Sequence, residues 1–419
     1  MTTAVRWAGR AWVLLVCLTG TAGAQGLGLP SEPIAFAGGR VTVGGDIAGT
    51  VGPHDDGFFN DFDYRENTMR LLRIDVSAAV KAGPHFALLG EIRTDNFGQV
   101  RPYAAFVRIR PWTSRNFDVQ VGKVPPTFGS FARRTYANDN PLIGYPLGYQ
   151  YMTTMRADAL AASVDELLSK RSEGWGLRWS VGSPTFDGGV ALVSAFRWDT
   201  GVQVHAASES RVVSGTIAVT AGTVSNPRFH DDNDGPQVVG RVELRPVSGL
   251  VVGASLARGA FVGDDAERAA LAAVAALDPV SNPDDWRYTQ SAWGSDVEYS
   301  RDHYVLRYEA IGSGWRLPRV KRPLLPKTLE SLSHSVEGRY KLRPGLYAAA
   351  RWDWLGFSEV VGTKETAPWD APVKRLEAGI GYSLQRNLLL KLSFQLNRRD
   401  GGKLKTSENF PAAQLVFWF

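Results

Sequence analysis

The stretch NLLLKLSFQLNRR, residues 387–399, alternates strictly between two kinds of side chain. One set is apolar: Leu388, Leu390, Leu392, Phe394 and Leu396. The other set is polar: Lys391, Ser393, Gln395, Asn397 and Arg399. A period of two predicts a β-strand with one apolar face and one polar face.

The same alternation recurs through most of the chain, for example at residues 74–81, 304–310, 332–342 and 373–384. Short Gly, Pro and Asn turns connect some strands, and longer polar loops connect the others. Short turns at one end and long loops at the other are typical of an outer-membrane β-barrel, whose tilted strands are about 9–11 residues long. From Arg40 onward the pattern predicts an all-β, antiparallel transmembrane barrel of 18 strands. The weakest strand pair lies around residues 195–208, so 16 strands is the alternative.

A secreted β-sandwich also alternates polar and apolar residues, so it is the competing fold. The strand series, however, runs through nearly the whole chain, and the polar faces repeatedly carry Arg together with Glu. Aromatic residues gather at strand ends, where membrane girdles lie. They are Trp175, Trp179, Trp293, Tyr299, Tyr304 and Tyr308. The barrel is therefore the favoured interpretation.

The first residues have the layout of a secretory signal peptide. Arg6 and Arg10 precede an apolar run at residues 11–18, and small residues end at Ala24. A lipoprotein alternative requires a small residue before Cys17, and Val16 is not small. We therefore expect a signal peptide at residues 1–24, a periplasmic leader at 25–39 and the barrel at 40–419.

Composition supports a β-rich membrane protein of modest charge. Of 419 residues, 11% are aromatic and 44 are Gly, a balance that suits strands and turns. Loss of residues 1–24 removes two arginines and lowers the net charge from +5 to +3. It also removes the single Cys, which excludes disulfides and Cys-based metal or redox centres from the mature chain.

The last six residues, QLVFWF, continue the alternation to Phe419. Ala413, Leu415, Phe417 and Phe419 share one face, which the barrel interpretation turns toward lipid. We expect this last strand to pair with the first strand near Val41, so that no edge stays open. A terminal aromatic residue on such a strand also resembles the signal that the barrel assembly machinery of the outer membrane reads.

One connection, residues 125–173, is too long for an ordinary loop. It contains a predicted helix at 157–170, in which Leu160, Val164, Leu167 and Leu168 form one apolar stripe. The hypothesis is a constriction loop that folds into the barrel, and the alternative is an ordered cap on the outer surface. A second insert, residues 263–286, predicts a short Ala-rich helix in an outer loop.

Residues 67–92 and 100–129 resemble the phosphate-selective porin O and P family. The resemblance covers about residues 40–130 and includes an Arg-bearing strand, an acidic strand and the Val121-Gly122-Lys123 motif, followed by Pro125 and Phe128. An additional Thr127 departs from the family's Pro-Phe step. The resemblance implies an outer-membrane channel, commonly trimeric, with basic residues lining the lumen. A dense Lys/Arg cluster for phosphate itself is not evident.

The inward faces of the predicted strands carry more basic than acidic residues. The basic ones are Arg73, Lys81, Arg93, Arg108, Arg110, Arg178, Arg197, Arg241, Arg245, Arg307, Arg339, Lys341, Arg351, Arg375, Lys391 and Arg399. The acidic ones are Asp46, Asp75, Glu91, Glu243, Asp296, Glu298, Glu309, Glu337, Asp353 and Glu377. Charge at a narrow point sets pore selectivity, so the excess favours anions mildly. The alternative is that many arginines pair with acids on neighbouring strands and stiffen the wall.

Arg133 and Arg134 lie on the long connection itself, where a charge at a constriction counts most. We interpret them as selectivity residues, and the alternative is a solvated pair. The segment HDDNDG, residues 230–235, is similar to a calcium loop, but His230 and Arg241 occupy ligand positions. A weak divalent contact there stays open, and no cofactor is expected.

Two classes of function remain. The first is a passive diffusion channel for small anionic or neutral solutes, and the second is a sealed structural barrel or a lipid-cleaving barrel enzyme. An enzyme of that kind needs a Ser–His pair on the outer face, and His334 is the outward strand histidine that the alternation identifies. Basic residues alternate with acidic ones, which argues against a nucleic-acid surface.

Overall fold

A computed structural model describes residues 30–63, 65–233, 235–275, 288–317 and 325–419. The predicted signal peptide, residues 1–24, and residues 25–29 of the predicted leader lie outside the described residues.

Sixteen antiparallel strands form one closed barrel, which confirms the β-barrel and the smaller of the two strand counts. The first eight are β1 (Val41–Val51), β2 (Leu72–Lys81), β3 (Phe86–Asp95), β4 (Arg101–Ile109), β5 (Phe117–Val124), β6 (Asp199–Ala207), β7 (Val213–Thr220) and β8 (Gln237–Leu244). The second eight are β9 (Leu250–Ala260), β10 (Thr289–Arg301), β11 (Tyr304–Arg316), β12 (Thr328–Arg343), β13 (Leu346–Phe357), β14 (Val373–Gln385), β15 (Leu388–Arg399) and β16 (Ser407–Trp418).

The barrel closes where β16 meets β1. Trp418 pairs with Asp46, and the backbones of Phe419 and Gly45 exchange two hydrogen bonds of 3.0 Å. The predicted pairing of the last strand with the first is confirmed, but it begins at Gly45 and not near Val41, because the strand Ile34–Phe36 pairs with Val41–Val43 along that edge. The described part of the leader thus continues the seam that the last strand begins.

The outward and inward faces follow the alternation. On β15, Leu392, Phe394 and Leu396 face outward and are 39–46% exposed, whereas Lys391 and Gln395 face inward and are buried. Short turns join the strands at the end where the chain enters β1, which we call the short-turn end. Longer connections join them at the opposite end, the long-loop end. Tyr299 and Tyr304 lie on the outward face at the short-turn end, with ring centroids 5.9 Å apart.

The connection between β5 and β6 covers residues 125–198 and is longer than the sequence predicts. Residues 175–198, which account for the two additional predicted strands, belong to this connection. Their alternation has another cause: Leu177, Trp179 and Val181 are buried in the core of the connection and do not face lipid. Trp179 is therefore not a girdle residue, and Trp175 lies beneath the Arg65 guanidinium at 5.4 Å.

Within the residues that the structure describes, the α-helices are few and short. They are α1 (Leu147–Gln150), α2 (Val164–Ser169) and α3 (Asp264–Ala275). The predicted helix at 157–170 is shortened to α2, because Ala159–Leu160 pairs with Val181–Gly182 and Ser163 caps the helix by accepting from the Glu166 N–H at 3.2 Å. The predicted apolar stripe is buried as expected. The helix α3 is the Ala-rich helix predicted for the loop between β9 and β10.

Within the described ranges, no helix has both the length and the apolar character needed to cross a bilayer.

Gly45 tests the seam. A Cβ at this position lies 2.8 Å from the Phe419 ring, so we expect Gly45→Ala to displace Phe419 and to destabilise the barrel by about 1–3 kcal/mol. The measurement is the temperature at which the folded band on a semi-native gel converts to the unfolded band. Gly90→Ala is the matched control, since an added Cβ there meets only the Ala104 carbonyl at 3.9 Å. Equal melting of the two variants contradicts the role assigned to the seam.

Candidate functional site

Residues 125–198, which we call the interior loop, fold into the barrel and bond to its inward-facing side chains. The Lys391 ammonium on β15 donates to the backbone carbonyls of Ala137, Asn140 (2.6 Å) and Leu142 (3.2 Å). Three carbonyls around one buried ammonium fix this part of the loop against the wall. The inward-folding loop that the sequence predicts is confirmed.

A second anchor lies on β14. The Glu377 carboxylate accepts from the backbone N–H groups of Ile143 (3.1 Å) and Gly144 (2.9 Å). The neighbouring Arg375 donates to the Tyr145 carbonyl at 3.0 Å and to the Phe59 carbonyl at 2.5 Å, so it also holds the loop between β1 and β2. Charge-assisted bonds of this kind are stronger than neutral ones.

Tyrosines of the interior loop form a third set of contacts with the wall. Tyr136 donates to Glu91 at 2.7 Å, Tyr149 donates to Glu309 at 2.6 Å, and Tyr151 accepts from Arg399 at 3.0 Å. The sequence pattern does not predict these residues as wall contacts. For Tyr149 and Tyr151 a signal exists in the concentration of tyrosine in NPLIGYPLGYQY, residues 140–151.

At the long-loop end, Asp370 holds the interior loop in place. Asp370 lies in the connection between β13 and β14. Its carboxylate accepts from the backbone N–H groups of Ser172 (2.7 Å), Thr154 (2.8 Å) and Ala371 (2.7 Å). Burial raises the pKa of Asp370, although these donors oppose the rise. The interior loop is therefore held at several depths, and its apolar residues share one core with the barrel wall.

Most of the predicted lumen arginines on strands face inward and are paired with acids. Arg73 pairs with Asp95 at 2.8 Å, Arg241 with Asp296 at 2.6 Å, and Arg93 with Asp75. Arg307 contacts Glu298 and Glu337, while Arg351 contacts Glu337, Asp353 and Glu377. For these residues the structure supports the alternative that pairing stiffens the wall.

Four predicted lumen residues do not lie on strands. Arg178 belongs to the interior loop and lies 5.7 Å from the Phe186 ring, and Arg197 pairs with Asp63. Arg110 and Arg245 lie in turns that follow β4 and β8. Arg178 and Arg197 were predicted on strands because the packing of the loop core produces the same alternation as a strand. Arg110 and Arg245 were predicted on strands because β4 and β8 end earlier than the pattern predicts.

Arg133 and Arg134 lie on a short 3₁₀ turn, Phe131–Arg133, and its cap. Arg134 contacts Glu337 at 3.2 Å. Arg133 reaches toward Glu243 at 3.9 Å and keeps 38% of its side chain exposed. The structure thus brings both residues to the inner wall, and Arg133 remains accessible.

Basic side chains dominate the accessible interior at the short-turn end. This basic vestibule consists of Lys81, Arg108, Arg133, Arg245, Arg339 and Lys341. The accessible acids nearby are Asp139, Glu243 and Glu298, and Glu243 is paired with Arg241 at 3.0 Å and with Arg245 at 3.0 Å. The interior at this end therefore carries an excess of positive charge.

A cavity of about 350 Å³ opens at the long-loop end. It is lined by Trp175, by the basic Arg65, Arg197 and Arg228 and by the acidic Asp63, Asp158 and Asp187. Acidic and basic groups balance in this lining.

The candidate sites for hydrolysis and for metal binding lack the groups that these functions need. The ring of the outward-facing His334 lies 2.9 Å from the Tyr308 hydroxyl and stacks on Trp354, and this contact does not supply the serine that hydrolysis requires. Among the described residues no group of three or more His, Cys, Asp or Glu side chains could hold a metal ion. Asp234 of the calcium-like segment lies outside the described residues.

Comparison with known proteins identifies the fold. No family model matches the chain, and no curated protein matches it. Among solved structures, OmpF of Salmonella typhi in complex with daunomycin aligns with a TM-score of 0.54 at 12% identity, covering 93% of this chain and 100% of that one. The anion-selective porin of Comamonas acidovorans aligns with a TM-score of 0.55 at 8% identity, covering 90% and 99%.

The trimer form of OmpT, an outer membrane protein of Vibrio cholerae, aligns with a TM-score of 0.50 at 12% identity, covering 90% of this chain and 99% of that one. The fold is that of the outer-membrane porins. At these identities the likeness concerns the fold alone. The specific resemblance to the phosphate-selective family is not shown.

Lys391 tests how the interior loop is held. Lys391→Met leaves three buried carbonyls without their donor, so we expect the segment 137–144 to lose about 2 kcal/mol of local stability, or roughly 30-fold in hydrogen exchange protection. Mass spectrometry of deuterium uptake measures it. Lys374→Met on β14 is the control, because Lys374 faces outward and is exposed. Unchanged uptake in Lys391→Met contradicts the anchor.

Proposed function

We propose that the protein is an outer-membrane porin, a passive diffusion channel for small hydrophilic solutes with a mild preference for anions. The observation that carries this proposal is a closed barrel with an apolar outer face, a charged interior and a long loop folded inside. A loop of this kind narrows a channel, and charges at the narrow part act on the solutes that pass.

The proposed location is the outer membrane of a Gram-negative bacterium, with the short-turn end at the periplasm. Lipid contacts the outward face, and the last strand is the proposed contact for the barrel assembly machinery. The trimer form of the Vibrio cholerae protein supports a homotrimer. The resemblance of residues 40–130 to phosphate-selective porins supports a basic lumen, and the proposed solutes are small anionic or neutral molecules.

The preference for anions rests on accessible charge. Five arginines of the wall are paired with acids and contribute little net field, namely Arg73, Arg93, Arg241, Arg307 and Arg351, whereas the basic vestibule is accessible and in excess. Oriented charge raises the local concentration of the opposite ion in a cleft. Arg133 matters most within the vestibule, because it lies on the loop and keeps an exposed side chain.

A sealed structural barrel is the second candidate, and one observation favours it. Inward-facing residues at mid-height, such as Arg351, Arg375 and Gln395, are at most 1% exposed, because the interior loop packs on them. The two candidates differ in conductance across planar lipid bilayers. A sealed barrel gives no current, and a porin gives defined single-channel steps.

Replacement of the interior loop tests the constriction. Val124 on β5 pairs directly with Asp199 on β6, so a short Gly-Asn turn can replace residues 125–198. We expect the replacement to raise single-channel conductance several-fold, because the space that the loop fills becomes available to ions. A folded, heat-modifiable band controls for assembly. Equal conductance with and without the loop contradicts the constriction.

The double variant Arg133→Ala, Arg134→Ala tests selectivity. We expect the ratio of anion to cation permeability to fall about two- to fivefold, as the loss of a charge a few ångströms from the ion path requires. The reversal potential in a salt gradient measures the ratio. Arg178→Ala is the control, because it removes a positive charge from the exposed surface of the same loop. An unchanged reversal potential refutes the role of the two arginines.

A further inference from the structure

Four charged side chains from β1, β2 and β3 lie side by side on the inner wall. Asp46 is paired across the sheet with Asp75, and Asp75 with Arg93, while Glu91 is two residues from Arg93 on the same face. All four are buried: Asp46 is 6% exposed, Asp75 3%, Glu91 9% and Arg93 4%. They form what we call the acidic wall cluster.

Several polar atoms of the acidic wall cluster have no hydrogen-bond partner in the part of the chain that the structure describes. They are both carboxylate oxygens of Asp46, one oxygen each of Asp75 and Glu91, and both terminal nitrogens of Arg93, one of which lies 3.7 Å from that Glu91 oxygen, too far for a hydrogen bond. A buried polar atom without a partner costs about 1–3 kcal/mol, so buried groups of this kind normally bind water. The concentration of such atoms in one place indicates a hydrated space.

The network on β12–β14 is different. The guanidinium of Arg351 donates to Asp353 (3.1 Å), Glu337 (3.4 Å) and Glu377 (2.9 Å). Glu377 in turn accepts from two backbone N–H groups of the interior loop. Protein groups satisfy most of this network, so loop and wall are sealed together there. The contrast locates the hydrated side of the loop at β1–β3.

The hydrated space continues in both directions along these strands. Toward the short-turn end, Ser77 is half-buried and Lys81 is exposed in the basic vestibule. Toward the long-loop end, Thr50, Ala137 and Gln414 line a small cavity of about 20 Å³, enough for about one water, and the side-chain oxygen of Gln414 has no hydrogen-bond partner among the described residues. Tyr136 and Ala137 of the interior loop face this series of sites.

The unpaired charge on this side is the Asp46 carboxylate. Arg93 is paired with Asp75 and Arg73 with Asp95, which cancels two positive charges. Glu91 accepts from Tyr136, and Asp46 retains a carboxylate with neither oxygen bonded. The described residues place no third acidic or histidine ligand around it, so the site suits a monovalent cation better than a divalent one.

We propose that a hydrated passage runs between Tyr136–Ala137 of the interior loop and the wall of β1–β3, and that Asp46 binds small monovalent cations within it. This inference rests on the proposed channel function and identifies the path that ions take through the barrel. The basic vestibule concentrates anions at the short-turn end, and Asp46 favours cations inside. The two opposing fields keep the net preference for anions mild.

Asp46→Asn tests the charge. The variant keeps the size of the side chain and removes the negative charge, so the ratio of anion to cation permeability rises about two- to fivefold in the salt-gradient measurement. Asp265→Asn, on the exposed helix α3, is the control for the same charge change at the outer surface. A reversal potential that is equal in Asp46→Asn and Asp265→Asn overturns the role of Asp46.

Cysteine accessibility tests the path independently of conductance. In a Cys17→Ser background, Ser77→Cys in detergent is expected to react with aminoethyl methanethiosulfonate at least tenfold faster than Ser333→Cys, an inward position in contact with Gly148 of the loop. The cationic reagent should also react faster than its sulfonatoethyl analogue. Faster reaction at Ser333→Cys, or no reaction at Ser77→Cys, overturns the passage. If the wild-type protein gives no current while Ser77→Cys reacts, the proposed channel function is refuted, and the inference of a hydrated cleft stands without it.

Discussion

Closure of the backbone ladder at β1 is the constraint on which the rest of this structure depends. Lipid offers no hydrogen bonds to a backbone, so every edge of a transmembrane sheet must be paired. One edge of β1 pairs with β2, and the other is shared by the strand Ile34–Phe36, Phe419 and β16. Both ends of the described chain therefore meet at one place, and Gly44 and Gly45 leave room there for the terminal ring. The choice of glycine at these two positions of the seam is therefore a consequence of how the backbone closes.

Closure also determines what the interior must do. With apolar residues turned outward by the period of two, every strand turns its polar residues inward, and these need partners. Neighbouring strands supply some, as in Arg241–Asp296, and the interior loop supplies others through its own backbone. Lys391 bonds to loop carbonyls and Glu377 to loop N–H groups, so one strand wall satisfies both kinds of backbone group. The loop is irregular in structure, and these bonds are the reason that it can lie inside the barrel.

The sequence predicts the strands well where alternation has a single physical cause. On β15 and β16 the apolar face meets lipid, and the predicted faces are observed. Between residues 175 and 198 the same alternation arises from packing inside the loop, and a local pattern cannot separate the two causes. The positions of Arg133 and Arg134 on the loop were predictable, but the contact of Arg134 with Glu337 joins residues far apart in the chain. Pairing of that kind depends on the register of the whole barrel, which no local signal contains.

The interior loop is anchored unevenly to the wall, and this asymmetry determines the selectivity of the candidate channel. Around β13–β15 the loop and the wall satisfy most of each other's polar groups, and among the described residues one oxygen of Asp353 and the Ser393 hydroxyl are the buried side-chain atoms left without a partner on these strands. Along β1–β3 the same kinds of side chain are buried with several atoms unbonded among the described residues, and the negative Asp46 carboxylate is one of the groups without a partner. Selectivity in such a barrel therefore cannot be read from the total number of inward arginines, because paired arginines in the sealed wall do not act on the solute. It depends on the few charges that border the hydrated side, and these have opposite signs at the mouth and in the passage.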